Sequence, residues 1–365
     1  MTMRTVGYAW HSRFYDHHVE GHPEHAGRLR AVMERLTESG ELSKLHALGV
    51  GPATFDELCE LHTPDYVTRV HSISEHGGGT LDGDTYLVRE SFEAAALAAG
   101  AAMRCASAVM SNNVQRAIAL VRPPGHHAFA DHGEGFCLFN NVAFAAHIAT
   151  DGVRSSDVMW SASARRSHAQ QRPRAMIVDF DVHHGNGTQS IFEDDPSVLF
   201  LSLHQFGRIY PGSGGAEEMG HGAGRGATIN VPMPAGAGDA LYARAFDEIV
   251  APAARRFAPD VMIVSAGFDG HWRDPLAQVQ LSLHGQTHMV QSLSALSDEL
   301  CGGRMVCVLE GGYDLEVLSL GVLNMVRVLR GVDDECEDPL GPAPRPESKD
   351  GRWIDAVRRV HGFGG

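Results

Sequence analysis

Two aspartates and two histidines lie within six residues in the stretch from Asp179 to His184. They follow an apolar, strand-like run. Alternate side chains of a strand share a face, so Asp179, Asp181 and His183 could point the same way. An Asp-x-His pair offers a divalent metal one carboxylate oxygen and one imidazole nitrogen. A single pair of this kind is more typical of solvated charges at a strand end, but the rest of the chain changes that interpretation.

Polar side chains follow four separate strands that the sequence predicts. The residues at these strand ends are His126 and His127, the cluster from Asp179 to His183, Asp269, and Tyr313. In an open parallel sheet, ligands bind at the carboxyl ends of the strands. We therefore expect the four groups to form one composite site.

The order of the predicted elements favours one fold class. Apolar strands alternate with helices for most of the chain, which predicts an α/β fold with a mainly parallel central sheet flanked by helices. We expect a single catalytic domain over residues 1–332, interrupted by an exposed insertion at 151–174, where periodicity is lost. Residues 333–365 are predicted to form an acidic, Pro-rich linker and a short helix. A strand is predicted over 57–61 and one continuous helix over 239–257.

Composition excludes several classes of function. The 365 residues carry a formal net charge of −15, which argues against direct nucleic-acid binding. The six cysteines form no CxxC pair, as is typical of reduced thiols inside a cell. No apolar run reaches the roughly 20 residues of a membrane span, and the start lacks a signal-peptide core. We expect a cytoplasmic protein without a membrane partner. A homo-oligomer is left open.

The carboxylates and one histidine suggest metal chemistry. Asp181, His183 and Asp269 would supply three protein ligands and leave a fourth position for water, as catalytic metal sites require. Two carboxylates make this a harder site than one built from histidines alone. Zinc is the first choice, and Fe²⁺, Co²⁺ or Mn²⁺ are admissible.

The tandem histidines could supply a general base and a general acid. Each needs a partner on its second ring nitrogen, and Asp179 and Asn186 are the candidates. A carboxylate raises a histidine pKa and a neutral amide does not, so His126 and His127 could be tuned apart. Tyr313 follows two glycines, and its phenol could stabilise an oxyanion. Taken alone, Tyr313 is interpreted equally well as a packed core aromatic.

These residues resemble the arginase/deacetylase superfamily, and specifically its histone deacetylase-like amidohydrolases of the class II-like, zinc-dependent kind. The resemblance runs from about Val6 to Leu329, with the motifs in the family's order. The motifs are Arg-Pro-Pro-Gly-His-His (122–127), Gly-Phe-Cys (135–137), Asp-Phe-Asp-Val-His-His-Gly-Asn-Gly (179–187), Ser-Ala-Gly-Phe-Asp (265–269), Asp-Pro-Leu (274–276) and Glu-Gly-Gly-Tyr (310–313).

The resemblance implies a role for each matching residue. Zinc would bind Asp181, His183 and Asp269. The catalytic positions would be His126 with its partner Asp179, His127 with its partner Asn186, and Tyr313. The substrate-binding positions would be Gly135, Phe136, Tyr210, Leu276, Gly311 and Gly312. Family members also bind potassium, and the matching positions are Asp179, Asp181, His183, Ser202 and Leu203.

Some positions depart from the family pattern or are less specific. Tyr210 stands where the family often has Phe, which suggests a more polar tunnel wall. Leu276 lies where an acidic residue favours cationic polyamines, so acetyl-lysine peptides or apolar acyl amides are expected instead. Arg28 follows a family motif and is a candidate exit-channel residue.

The sequence predicts metal-dependent removal of acetyl or related acyl groups from lysine side chains or similar long-chain amines. The alternative is an acetylpolyamine or small-amide amidohydrolase of the same superfamily. A two-metal ureohydrolase would need additional ligands and would leave Tyr313 without a role. A non-catalytic binder of acylated proteins would be expected to lack part of the residue set, which is complete here.

Overall fold

Ten β-strands and eleven α-helices form the part of the chain that this computed structural model describes, residues 4–152 and 172–364. The strands are β1 (Val6–Ala9), β2 (His46–Ala47), β3 (Gly78–Thr80), β4 (Tyr86–Val88), β5 (Arg116–Ala119), β6 (Ala175–Asp179), β7 (Val198–Gln205), β8 (Thr228–Met233), β9 (Val261–Ala266) and β10 (Met305–Leu309). The helices are α1 (Gly27–Glu38), α2 (Phe55–Leu58), α3 (Pro64–Glu75), α4 (Ser91–Met110), α5 (Asn141–Asp151), α6 (Asn186–Phe192), α7 (Asp239–Ala245), α8 (Ala251–Phe257), α9 (Leu283–Cys301), α10 (Leu315–Arg330) and α11 (Arg352–His361).

Eight strands form one sheet in the order β2-β1-β5-β10-β9-β6-β7-β8, and every neighbouring pair is parallel. Strands β3 and β4 form a separate antiparallel pair. The strands from β5 to β10 within the large sheet are buried along their whole length, as expected when helices cover a parallel sheet. The predicted α/β fold with a mainly parallel central sheet is confirmed.

The helices that cover the sheet include α4, which packs against β1 and β5, and α5, which packs against β6 and β9. Helix α4 is rich in alanine, and by length and composition alone it is apolar enough to cross a membrane. In this protein, 72% of its apolar window is buried against other elements, which is also what a core helix shows.

Two predicted elements differ from the structure. The strand predicted over 57–61 is wrong, because the chain forms helix α2 there. The side chains of Thr54 and Glu57 each accept the other's backbone N–H, a capping box that favours a helix start. The continuous helix predicted over 239–257 is α7 and α8 joined by a wider π-helical turn, Phe246–Val250. Pro252 has no N–H for the regular ladder, and the wider turn precedes it.

The chain after α10 returns to the same core. The predicted short C-terminal helix is α11, which packs beside β8 and buries Ile354 and Val357 in the main apolar cluster. Residues 153–171, most of the predicted insertion at 151–174, lie outside the described residues. The exposure of that insertion therefore stays a prediction.

Candidate active site

The order of the strands brings the four predicted polar groups side by side. Strands β5, β10, β9 and β6 are consecutive in the sheet, although they are far apart in sequence. The residues that follow their carboxyl ends are His126 and His127 after β5, Tyr313 after β10, Asp269 after β9, and Asp181 with His183 after β6. The predicted composite site is therefore one location at one edge of a buried sheet.

Three side chains form a compact group of metal-ligand type. One ligand atom from each of Asp181, His183 and Asp269 lies within 4.8 Å of the others, and all three residues are buried. Nδ1 of His183 lies 3.1 Å from Oδ1 of Asp181 and 3.2 Å from Oδ2 of Asp269. The structure thus brings together the three residues that the sequence selected as metal ligands.

The donor set of this triad suits a divalent cation. Two buried carboxylates on one site require a compensating positive charge. The ring of His183 supplies one, since the carboxylates of Asp181 and Asp269 outweigh the effect of burial and raise its pKa to about 10. A metal ion would replace that proton and would satisfy the same three ligand atoms. One nitrogen and two oxygens fit zinc, and also Fe²⁺, Co²⁺ or Mn²⁺.

Backbone groups and two glycines hold the carboxylates in place. The N–H of Val182 donates to Oδ1 of Asp269 (3.0 Å), and the N–H of Gly311 donates to Oδ2 of Asp181 (2.8 Å). A Cβ atom on Gly311 would lie 2.2 Å from Oδ2 of Asp269, and one on Gly267 would lie 2.2 Å from Oδ2 of Asp181. Only glycine leaves room at these two positions for the carboxylates.

The tandem histidines have different partners. Nδ1 of His126 lies 2.9 Å from Oδ2 of Asp179, and Nδ1 of His127 lies 2.8 Å from Oδ1 of Asn186. Burial lowers the pKa of His126, but the carboxylates of Asp179 and Asp181 outweigh it and raise that pKa to about 10. Burial lowers the pKa of His127 well below its usual value, and the neighbouring His126 lowers it further. The pKa values of the two rings are therefore shifted apart, because only His126 has a carboxylate partner that offsets burial.

Two buried carboxyl groups that the sequence analysis missed position the catalytic residues through their backbones. Oε2 of Glu310 accepts the N–H groups of Gly125 (2.7 Å) and His126 (3.2 Å). Oδ2 of Asp274 accepts the N–H of Tyr313 at 2.7 Å. Both residues belong to motifs of the family, Glu-Gly-Gly-Tyr and Asp-Pro-Leu, and this could have identified them as functional residues. Contacts to backbone groups have no characteristic sequence spacing.

Tyr313 lies next to an aromatic wall and an arginine. Its ring meets the ring of Phe136 edge to face, with centroids 5.9 Å apart, and Cζ of Arg28 lies 5.0 Å from its centroid. Burial raises the pKa of the phenol well above its usual value, so the hydroxyl stays protonated and can act as a donor.

Of the two predicted tunnel-wall residues, Tyr210 lies beside His127 and Phe136 lies beside Tyr313. The Tyr210 ring lies 4.9 Å from that of His127, nearly perpendicular to it. Phe136 has a φ of 68°, an uncommon value for a residue with a side chain, and its N–H donates to Thr85 Oγ1 at 3.0 Å. A Cβ on Gly135 would lie 2.5 Å from the His127 ring and 2.8 Å from the Tyr210 hydroxyl. Gly135 therefore leaves room for the His127 ring and the Tyr210 hydroxyl.

The other predicted substrate positions have mainly internal contacts. The carbonyl of Gly312 accepts a hydrogen bond from Nε of Arg28 (2.7 Å). The N–H of Leu276 donates to Oδ1 of Asp274 (3.0 Å), and its side chain is partly exposed. Gly311 lies against the metal triad, as described above. The substrate-binding roles of these residues and the exit-channel role of Arg28 stay predictions.

The residues of the predicted potassium site lie at or just after the end of β6 and within β7. Asp179 and Ser202 are directly paired across these two strands. Oγ of Ser202 lies 2.9 Å from Nδ1 of His204, and Leu203 is buried beside it. Potassium binding stays a prediction.

Comparison with known proteins decides the family. A family model described as the histone deacetylase domain matches residues 22–329 of this chain. The chain belongs to the histone deacetylase family. Histone deacetylase 14, chloroplastic, from Arabidopsis thaliana is 37% identical over 94% of this chain and 81% of that protein. A histone deacetylase-like amidohydrolase from Pseudomonas aeruginosa is 36% identical over 88% of this chain and 80% of that protein.

A solved histone deacetylase structure has the same architecture. The crystal structure of the HDA15 HD domain aligns with a TM-score of 0.85 and 36% identity, over 99% of this chain and 95% of that one. A probable deacetylase from Archaeoglobus fulgidus is 38% identical over 90% of this chain and 87% of that protein. The fold, and a deacetylase or amidohydrolase function, are thus supported across nearly the whole chain.

Proposed function

We propose that the chain is a zinc-dependent hydrolase of linear amides that removes acetyl groups from lysine side chains or similar long-chain amines. One observation carries this proposal: a buried group of three metal-type ligands lies beside two histidines whose pKa values are shifted in opposite directions. Hydrolysis of an unactivated amide needs these parts, because the carbonyl must be polarised and protons must be moved at neutral pH.

Asp181, His183 and Asp269 would hold the metal. When bound, it would supply Lewis-acid polarisation of the acyl carbonyl and a lowered pKa for a water molecule at the site. The backbone donors on the two carboxylates keep them oriented, so that the ligand atoms need not reorganise when the ion binds.

His127 is suited to act as the general base. Its Nδ1 donates to the oxygen of Asn186, which leaves Nε2 with its lone pair free. Because its pKa is low, the ring is neutral at physiological pH and can accept a proton from water. His126 holds a proton beside Asp179, and a protonated ring at this place can assist departure of the amine.

Tyr313 is suited to stabilise the oxyanion. Its hydroxyl stays protonated, and its backbone N–H is anchored by the carboxyl group of Asp274. A protonated phenol can donate to the carbonyl oxygen as charge develops on it. Acetamides are poor electrophiles, which is why a second donor besides the metal is needed.

The walls suggest the shape of the substrate. Tyr210 borders His127 and Phe136 borders Tyr313 with flat aromatic rings, which suits an unbranched alkyl chain ending in an acylated amine. An acetyl-lysine side chain has this shape, and so does an acetylated polyamine.

The test compares initial rates of the zinc-loaded enzyme on an acetyl-lysine peptide, free acetyl-lysine and acetylspermidine. We expect the peptide to have the highest kcat/KM and a chelator to abolish turnover. Preference for acetylspermidine would transfer the proposal to the polyamine class. Absence of turnover on all three substrates by fully loaded enzyme would overturn it.

A further inference from the structure

Glu134 connects two parts of the candidate active site. It stands directly before Gly135, and its Oε1 accepts the amide Nδ2–H of Asn186 at 2.7 Å. This contact involves no metal ligand. One carboxyl group therefore holds the partner of His127.

The contact with Asn186 determines which way its amide faces. The oxygen of Asn186 accepts from Nδ1 of His127 (2.8 Å) and from the N–H of Gly187 (3.0 Å), while its nitrogen donates to Glu134. Rotating the amide by half a turn would direct its N–H₂ group at His127 and its oxygen at the Glu134 carboxyl group. Glu134 opposes that rotation, because an acceptor facing an acceptor is unfavourable.

The orientation of this amide selects the tautomer of His127. With the amide oxygen facing it, Nδ1 must carry the ring proton, and Nε2 is left as the acceptor. With the amide nitrogen facing it, the proton would move to Nε2 and the ring could not serve as the base from that atom. Glu134 thus influences the tautomer of His127 through the side chain of Asn186.

We propose that Glu134 is a positioning residue that keeps His127 in the Nδ1-protonated tautomer through Asn186. The inference rests on the proposed function in so far as His127 is the base. Loss of the Asn186 contact lowers kcat.

Two variants test this contact. E134M keeps the length of the side chain but has no acceptor for the Asn186 amide. E134Q keeps an acceptor for Asn186. A cavity of about 430 Å³ borders Glu134, Asn186 and Tyr210, so in E134A a water molecule has room to replace the carboxyl group. E134M is therefore the sharper variant, with E134L as its replacement should it fail to fold.

Kinetics and a ring signature are measured together on the zinc-loaded enzyme. We expect kcat of E134M to fall about tenfold, the scale of one lost hydrogen bond in the transition state. E134Q should stay within about twofold of wild-type kcat, since it keeps the acceptor. A kcat of E134M equal to that of E134Q would overturn the proposal.

The ring signature is independent of turnover. The ¹⁵N shifts of the His127 ring, assigned by their absence in H127Q, report which nitrogen is protonated. We expect Nδ1–H in wild type and E134Q, and Nε2–H or a mixture in E134M. An unchanged Nδ1–H signal in folded E134M would overturn the inference. A wild-type enzyme that shows the Nδ1–H signal but hydrolyses no amide would overturn the proposed function and leave this inference standing.

Discussion

The ring centroids of His126 and His127 lie 4.0 Å apart, yet His126 is paired with a carboxylate and His127 with a neutral amide. Burial lowers the pKa of both rings, but only His126 has carboxylates beside it that outweigh burial, so the pKa values of the two residues are shifted in opposite directions. A base and an acid can then coexist at one pH, within one dipeptide.

Replacing the amide by a carboxylate tests this difference. In N186D, a negative charge beside Nδ1 should raise the pKa of His127, so the base stays protonated up to a higher pH. The acidic limb of the kcat/KM profile should move upward by about one pH unit or more. The profile is measured from pH 5 to 10, with the exposed N113D as the control. An unmoved limb in N186D would show that His127 is not the base.

Removing one residue of the metal triad should cause loss of both bound metal and activity. H183A and D269A each remove one of three ligands, so zinc content should fall well below wild type and turnover should become undetectable. Metal analysis and activity are measured on the same samples, with circular dichroism as the check on folding. H46A, which removes an exposed histidine, should behave as wild type. Either ligand variant with full zinc and wild-type turnover would refute the ligand assignment.

Tyr313→Phe should remove one oxyanion donor. We expect kcat on acetyl-lysine to fall by roughly 10²–10³ with a smaller change in KM. A trifluoroacetyl-lysine substrate is activated by its own fluorines and should lose a smaller factor. Zinc content should be unchanged, because the phenol is not one of the three ligands. Equal losses on the two substrates would indicate that Tyr313 is a packing residue.

Leu276 predicts the choice between peptide and polyamine substrates. A leucine offers no charge to an ammonium group, so wild type should prefer acetyl-lysine peptides. L276E should increase kcat/KM for acetylspermidine by about tenfold, which corresponds to roughly 1.4 kcal/mol of transition-state preference. L276Q is the uncharged control of similar size. A wild-type preference for acetylspermidine, or no gain in L276E, would contradict the assignment.

Because His62 is buried, we expect the folded protein to lose stability in acid. Its Nδ1–H donates to the carbonyl of Phe129 (2.8 Å), and its Nε2 accepts the N–H of Asn140 (3.1 Å), so both nitrogens are used by the neutral ring. Burial lowers its pKa to about 4. Below the unfolded pKa of about 6.5, the unfolded chain binds a proton that the folded protein does not, so stability falls as the pH decreases.

The expected contribution of His62 is a loss of about 2 kcal/mol between pH 7.5 and pH 5. Urea unfolding at the two pH values measures it. H62Q, which cannot titrate, should show a smaller decrease than wild type by about this amount, whereas the exposed H46Q should retain the full decrease. An equal decrease in wild type and H62Q would assign the acid sensitivity to other groups.

Much of the site could be predicted from the sequence because its residues directly follow predicted strands. Apolar runs ending in Asp179, Asp269 and Tyr313 mark carboxyl ends of strands, and a parallel sheet gathers such ends at one edge. The sequence did not contain the strand order, in which β10 and β9 lie between β5 and β6. That order depends on how all the helices pack, not on any local pattern.

The positioning residues that were not predicted act through hydrogen bonds that have no characteristic sequence pattern. Glu310, Asp274 and Glu134 accept hydrogen bonds from backbone or amide groups that approach only after folding. The short helix α2 was mistaken for a strand because four residues show no useful periodicity, whereas its Thr54–Glu57 capping box was a readable signal.

The most direct test of the account titrates zinc into metal-free protein while turnover of an acetyl-lysine peptide is followed. The single triad of ligands predicts that turnover rises in proportion to added zinc and reaches its plateau at one zinc ion per chain, with no rise in H183A. A plateau that requires two metal ions per chain, or a fully zinc-loaded protein that leaves the peptide intact, would contradict it.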